Sequence, residues 1–131
     1  MIRRWQCGFS MLELMVVISV MLILISVTVP AYNRSVIRSR ETILRHNLFT
    51  LRSVISQYTV DLQKAPKSLS DLISAGYLRQ VPVDPITNSS ATWQVVQEDV
   101  LQAANQLEPG ITDVHSGSTA TSSEGAPYSD W

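Results

Sequence analysis

An unbroken apolar run of 21 residues, from Phe9 to Val29, sets the first limit on how this chain can fold. As a helix, a run of that length is about 30 Å long, which matches the hydrocarbon core of a bilayer. A soluble helix of the same length would show a polar face at helical spacing, and this run has none. The run therefore predicts a membrane-spanning helix, in which Glu13 is the only charged residue.

Glu13 separates the possible kinds of membrane segment. A cleavable secretory signal has an apolar region of about 7–15 residues that ends at small residues, whereas this run is longer and ends in Val-Thr-Val-Pro at 27–30. An uncleaved signal anchor fits the length. An uncleaved anchor would, however, keep the Glu13 carboxylate in the membrane, which costs about 2.5–3.5 kcal/mol near the membrane interior. The run contains no Lys or Arg that could pair with this carboxylate.

The start of the run resembles the class III signal of type IV pilins and type II secretion pseudopilins. A basic leader with Arg3 and Arg4 is followed by GFSMLE at residues 8–13. The resemblance implies that prepilin peptidase cuts between Gly8 and Phe9 and methylates the new amino terminus. Glu13 is then the fifth residue of the mature chain.

The same resemblance implies a role for the acid in assembly. Glu13 of an incoming subunit would pair with the positively charged amine of Phe9 on a neighbour, because two charges that are costly apart in lipid become tolerable together. Pro30 corresponds to the proline that kinks or loosens the family's helix.

Basic residues flank the run unevenly. Arg3 and Arg4 precede it, while Arg34, Arg38 and Arg40 follow it. Charge alone therefore does not favour a cytoplasmic amino terminus. The resemblance implies that orientation, with a single pass through the inner membrane and the rest of the chain in the periplasm.

Beyond Pro30 the apolar pattern becomes that of an amphipathic helix. Its stripe repeats at spacings close to 3.5 and is covered, we expect, by a small sheet. The sequence thus predicts an α+β, pilin-like fold: a leader at 1–8, a long helix at 9–62 (transmembrane at 9–29, amphipathic at 30–62), and a head at 63–131 with a small antiparallel sheet. The stripe consists of Ile37, Leu44, Leu48, Leu51, Ile55, Tyr58 and Leu62.

Local signals divide the head into short elements. Capping-box spacing at Ser68 predicts a short helix through Ala75, with Gly76 at its end. The prolines of 81–85 predict an extended turn. Strands are predicted at 93–97 and 111–114; 98–110 could be helical turns or a loop. Residues 116–124 are expected to be irregular and 127–131 to dock.

Residues 66–90 and the strand that follows resemble the head of major type II pseudopilins, with a short helix, a Gly-Tyr-Leu step and a Pro-x-Asp-Pro turn. That resemblance implies a fibre of identical copies, with minor pseudopilins, prepilin peptidase and an inner-membrane assembly platform as partners. A type IV minor pilin is the alternative within the family. The lack of a cysteine pair argues against a major type IVa pilin, since Cys7 is the only cysteine.

Two features of the family head have no clear counterpart. The Trp-Gly-Asn-Pro-Tyr run is replaced by residues 86–90, and no acidic loop typical of calcium binding is recognisable. We therefore expect no metal and no cofactor, and we expect Asp113, Glu124 and Asp130 to face solvent.

Catalysis has little support in the sequence. Asp113 and His115 would share one side of a strand, but no Gly-x-Ser-x-Gly accompanies them, and His46 is expected at the surface. The arginines at 34–52 could attract nucleic acid, but they fit a solvated or partner-facing side of the helix better. A membrane-anchored enzyme or binding protein with an uncleaved anchor is the alternative of a different class.

We expect Gly8→Leu to leave uncut precursor in the membrane, because a bulky side chain before the bond would block the peptidase. Sequencing of the extracted protein should then find Met1 instead of N-methyl-Phe9. Gly8→Ala is the matched variant, since one added methyl group should permit more cleavage than leucine does. A Gly8→Leu protein processed as fully as wild type would contradict the predicted cut site.

Overall fold

The computed structural model describes residues 8–98 and 109–131, and the chain divides into two compact units, Met1–Val36 and Ile37–Trp131. The fold is α+β and pilin-like, as the sequence predicts. In chain order its elements are helix α1 (Met11–Leu62), helix α2 (Leu69–Ser74), strand β1 (Gln94–Glu98), strand β2 (Gly110–His115) and a 3₁₀ turn at Tyr128–Asp130.

The first unit is the amino-terminal part of α1. Its apolar side chains from Phe9 to Val29 are exposed, with Leu14 at 48% and Met11 at 79% of full exposure. Helix α1 contains a window that is long and apolar enough to cross a membrane. Residues 1–7 of the predicted leader lie outside the described residues.

The core of the second unit lies along one stripe of α1. Leu44, Leu48, Leu51, Ile55 and Tyr58 are buried at spacings of four, three, four and three. Full burial of each such side chain contributes about 1.5–3 kcal/mol relative to exposure. The head packs its own apolar side chains against this stripe: Leu72, Trp93, Ile111, Val114 and Tyr128.

The predicted stripe is too long at both ends. Ile37 and Leu62 are 46% and 43% exposed. The buried positions of the helix run from Glu41 to Tyr58, so the apolar spacing continues past the part of the helix that the head covers.

The short helix α2 forms where its capping signals predict. Asp71 Oδ2 accepts hydrogen bonds from the backbone N–H groups of Lys67 (2.9 Å) and Ser68 (3.1 Å), which anchors the helix start. Gly76 follows the helix with a φ of +83°, the left-handed conformation that glycine adopts most readily. Leu72, on the inner side of this helix, is fully buried.

The sheet consists of β1 paired antiparallel with β2, and Val95 lies opposite Val114. Both strands begin within one residue of their predicted starts. Trp93 stands before β1 instead of inside it, and its buried indole donates to the Pro82 carbonyl at 2.8 Å. The register shifts between Val96 and Gln97, as in a β-bulge.

The proline-rich turn is held by one buried carboxylate. Asp84 is fully buried and accepts hydrogen bonds from the Ile86 backbone N–H at 2.8 Å and the Ser116 hydroxyl at 2.6 Å. The Asp84 N–H donates to the Ser89 carbonyl at 3.0 Å. Asp84 thus ties the turn to the end of β2.

The carboxyl-terminal residues are irregular and docked, as predicted. Residues 116–124 contain no helix or strand beyond an isolated bridge between Thr121 and Pro127. Tyr128 is buried and meets Trp131 edge to face, with ring centroids 5.3 Å apart. In the undecided segment 98–110, residues 99–108 lie outside the described residues.

We expect Gly117→Ala to destabilise the head by about 1–3 kcal/mol, the usual cost of overpacking. A Cβ at Gly117 would lie 2.0 Å from the Thr92 carbonyl oxygen, so the backbone must shift. Urea unfolding of the detergent-solubilised chain, followed by tryptophan fluorescence, measures the change. Thr119→Ala at a nearby exposed position is the control; equal stability of the two variants would show that the close approach is not needed.

Candidate functional site

The predicted cleavage bond lies in non-helical backbone just before α1. Gly8, Phe9 and Ser10 precede the helix, and the Leu14 N–H donates to the Ser10 carbonyl at 3.1 Å. Gly8 is exposed, and a Cβ added there would meet nothing within 4 Å. Packing within residues 8–98 and 109–131 therefore does not require glycine at this position. A requirement for glycine must come from something that binds this segment.

Phe9, the predicted first mature residue, is 77% exposed. An aromatic ring with so little cover within its own chain favours lipid or another protein as its surroundings. The Gly8–Phe9 bond and the Phe9 ring are thus both accessible from outside the unit.

Glu13 lies in the first turn of α1. A carboxylate near the amino-terminal end of a helix is favoured by the helix dipole, but only by about 0.3–1 kcal/mol at exposed sites. That is less than the cost of about 2.5–3.5 kcal/mol for an acid near the membrane interior. The helix end therefore does not offset the desolvation of this group.

Three hydroxyl groups of the apolar run differ from the Glu13 carboxylate in having partners. Ser19, Ser26 and Thr28 donate to the carbonyls of Met15, Ile23 and Leu24 at 2.7, 2.7 and 2.8 Å. Such back-bonding satisfies these groups inside the helix, so they need no water in a bilayer.

Glu13 has no comparable partner. Within residues 8–98 and 109–131, its carboxylate makes no hydrogen bond and no ion pair. It is the charged side chain of the run, and the described part of the chain gives it no counter-charge.

Pro30 lies inside α1, which continues on both sides of it. Proline has no N–H, so the Ser26 carbonyl lacks its usual intrahelical donor. The kink at Pro30 stays a prediction, as do the cleavage at Gly8 and Phe9 and the pairing of Glu13.

Arg34, Arg38, Arg40 and Arg45 of α1 are exposed, as expected for a solvated side. Arg45 and the half-buried Arg52 also contact the head, which the sequence did not predict. Arg45 Nη2 lies 2.6 Å from Glu124 Oε1, and its guanidinium stacks 4.3 Å from the ring centre of Trp131. Arg52 Nε lies 2.6 Å from Asp113 Oδ1. The Arg52 guanidinium also donates to the backbone oxygens of Val114 and Trp131.

Glu124 is exposed, as predicted, and it also pairs with Arg45. Asp113 was expected to face solvent but is only partly exposed and pairs with Arg52. Asp130 is exposed, as predicted. Within residues 8–98 and 109–131, no three His, Cys, Asp or Glu side chains cluster closely enough to hold a metal ion.

Asp113 and His115 do come together, at 3.4 Å between Oδ2 and Nε2. Each group is otherwise engaged: Asp113 Oδ1 accepts from Arg52 and from the Val114 N–H, and His115 Nδ1 lies 2.6 Å from the Trp131 backbone oxygen. These contacts connect the end of β2 to the carboxyl-terminal segment. A structural role therefore explains why Asp113 and His115 lie together, and no catalytic role is needed. His46 is exposed, as predicted.

Glu41 is the charged residue whose role the sequence reasoning missed. It is 6% exposed and accepts hydrogen bonds from the Ser123 N–H (2.6 Å), the Ser123 hydroxyl (2.5 Å) and the Tyr128 hydroxyl (2.9 Å). The seven-residue gap between Ile37 and Leu44 in the apolar stripe was the available signal. Glu41 fills that gap at the spacing of a buried position.

Three helix positions thus form a polar line beside the apolar stripe: Glu41, Arg45 and Arg52. Each contacts the segment 122–131. We call this line the clamp. It lies in the second unit and fixes the carboxyl-terminal residues against α1.

Comparison with known proteins gives one family match. Residues 6–29 match the family described as the prokaryotic N-terminal methylation motif. No curated protein and no solved structure shows significant similarity to the chain. The match covers the leader end, the predicted cut site, Glu13 and the apolar run. It supports a pilin-like subunit, and it is consistent with membrane anchoring.

We expect Glu41→Gln to destabilise the head by about 1–3 kcal/mol at pH 7, because an amide cannot accept from all three donors. Burial raises the pKa of Glu41, but the hydrogen bonds from Ser123 and Tyr128 together outweigh it and lower the pKa below its ordinary 4.5. The ionised carboxylate therefore stabilises the fold above that ordinary value and ceases to do so as the pH falls through the lower folded value.

The stability difference between wild type and Glu41→Gln should accordingly shrink between pH 7 and pH values below about 4. Urea unfolding across that range measures it. Ser70→Ala, which alters an exposed hydroxyl contact outside the clamp, is the control. A difference that stays constant with pH would show that the charge of Glu41 does not stabilise the head.

Proposed function

We propose that this protein is a subunit of a type II secretion pseudopilus, processed by prepilin peptidase and polymerised at the inner membrane to drive protein export. The proposal gives the chain a structural role and no catalytic one. One observation carries it: the apolar run that matches the methylation motif contains a single carboxylate, Glu13, which has no partner in the described part of the chain.

Cleavage would supply the missing partner. A cut between Gly8 and Phe9 creates an α-amino group at the start of the apolar run, and this amine stays basic after methylation. The amine and the Glu13 carboxylate of a neighbouring copy would each be costly alone in hydrocarbon, and their pairing offsets part of both costs. Each added subunit would form the same ion pair with its neighbour, so the pairing favours a polymer.

The exposed apolar surface of the first unit supports the same proposal. Its side chains, such as Phe9 at 77% and Ile23 at 64% exposure, need lipid before assembly. In a fibre, the helices of other copies would replace that lipid.

The head supports the secretion assignment over a surface pilus. The resemblance to major pseudopilins implies a fixed order of elements in the head. The chain follows this order with helix α2, the Gly-Tyr-Leu residues around Tyr77 and the turn held by Asp84. The only cysteine, Cys7, would leave with the leader, so the mature head would contain no disulfide. A type IV minor pilin is the second candidate, because the methylation motif is common to both groups.

The proposal includes a location and a set of partners for the chain. The leader faces the cytoplasm, residues 9–29 cross the inner membrane once, and the head lies in the periplasm. Partners are other copies of the chain, minor pseudopilins, prepilin peptidase and the inner-membrane assembly platform. No cofactor is part of the proposal.

We expect Glu13→Val to be processed normally but to assemble poorly, because only the charge pairing is lost. Mass spectrometry of the membrane-extracted protein should find N-methyl-Phe9, while the amount of sheared or cross-linked fibre should fall at least tenfold. Ser19→Val is the matched control, since the Ser19 hydroxyl is satisfied within its own helix. Normal fibres from Glu13→Val would contradict the pairing.

Loss of the gene distinguishes the two fibres. For a pseudopilus subunit, the exported proteins should accumulate in the periplasm while surface fibres persist. Loss of surface fibres with normal export would instead assign the chain to a type IV pilus.

A further inference from the structure

A cavity of about 430 Å³ lies beside the carboxyl-terminal end of α1. It is formed within the second unit by the last turns of α1, the connection that follows and the helix α2. Its polar lining residues are Tyr58, Lys64, Lys67, Asp71 and Ser74. Neither the proposed assembly contact at Glu13 nor the clamp includes any of them.

Tyr58 is the buried group of this cavity. The residue is 7% exposed, and its ring meets that of Tyr77 edge to face at 5.6 Å between centroids. The Tyr77 hydroxyl donates to Asp61 at 2.8 Å. The Tyr58 hydroxyl, by contrast, makes no hydrogen bond to any residue in 8–98 or 109–131.

A hydroxyl that finds no partner in its own chain loses hydrogen bonding unless a group that enters the cavity supplies it. Phenylalanine would fill the same core position without that cost. The hydroxyl of Tyr58 therefore points to an acceptor that enters the cavity from outside the described chain.

The charges around the cavity indicate the sign of that acceptor. Lys64 is exposed and has no ion pair within the described residues. Asp71 is the acid of the lining, and its Oδ2 already accepts from the Lys67 and Ser68 N–H groups. Burial raises the pKa of Asp71, but these hydrogen bonds lower it overall, so the carboxylate stays ionised and occupied at neutral pH.

The hydroxyl proton of Ser74 is also engaged in a hydrogen bond. Its hydroxyl donates to the Ser70 carbonyl at 3.1 Å. Lys67 has an interaction of its own, so the donors left for a ligand are the Tyr58 hydroxyl and the Lys64 ammonium.

We propose that this cavity binds an oxyanion, a carboxylate or phosphate group, through the Tyr58 hydroxyl and the Lys64 ammonium. A charge-assisted bond to ammonium and a second bond to a phenol are a common way to hold such a group. The site is independent of the proposed fibre function and would exist in an isolated subunit.

The test is an NMR titration of the full chain in a neutral detergent. Sodium acetate and sodium phosphate are the two probes, each compared with sodium chloride at the same ionic strength. The backbone signals of Lys64, Lys67, Asp71 and Ser74 should shift and saturate with one or both probes. Saturation by acetate alone identifies a carboxylate ligand; saturation by phosphate identifies a phosphate ligand.

Three variants separate binding from structure. Tyr58→Phe and Lys64→Gln should each raise the dissociation constant about three- to tenfold, the usual effect of one hydrogen bond. Arg79→Gln, which removes an exposed cation that does not line the cavity, should leave it unchanged. Tyr58→Phe should be no less stable than wild type without the probe.

Two results would overturn the proposal. One is linear drift of the signals without saturation in wild type. The other is an equal dissociation constant in wild type, Tyr58→Phe and Lys64→Gln, which would show that the anion collects around the surface charge only.

Discussion

A carboxylate in hydrocarbon requires a counter-charge, and Glu13 is the carboxylate of the apolar run. Three hydroxyl side chains of the apolar run, those of Ser19, Ser26 and Thr28, are satisfied by carbonyls of their own helix. The carboxylate has no such partner within residues 8–98 and 109–131. In the proposed mechanism, cleavage after Gly8 creates the counter-charge, and its location on another copy makes assembly the way to relieve the cost.

In the second unit, charged residues stabilise the packing of the head against α1. A head of modest size without a disulfide has little core of its own, so it uses the stripe from Leu44 to Tyr58 as one wall. The clamp then fixes the last residues against that wall. Glu41 is buried and fully hydrogen-bonded, whereas Arg45 and Arg52 stay partly exposed, where ion pairs contribute less. The buried carboxylate is therefore the part of the clamp most sensitive to substitution.

The features that sequence reasoning predicted correctly are those encoded locally. Ser68 and Asp71 mark the start of α2 three residues apart, Gly76 marks its end, and the prolines around Asp84 exclude helix and central strand. The clamp was missed because its partners are far apart in sequence: Glu41 and Ser123 are separated by 82 residues, and Arg52 and Asp113 by 61. Arginines at helical spacing look the same whether they face water or a docked segment. The stripe was extended to Ile37 and Leu62 for a related reason, since periodicity does not show where the covering elements end.

The central claim concerns two charges on different copies, and a distance between them tests it most directly. Fibres assembled from equal parts of a chain labelled with ¹⁵N at phenylalanine and a chain labelled with ¹³C at the glutamate carboxylates report only contacts between copies. Solid-state NMR should find the Phe9 amine nitrogen within about 4 Å of the Glu13 carboxylate carbon, the range of an ion pair. A mature Phe9 amine with no glutamate carboxylate of another copy in that range would contradict the account.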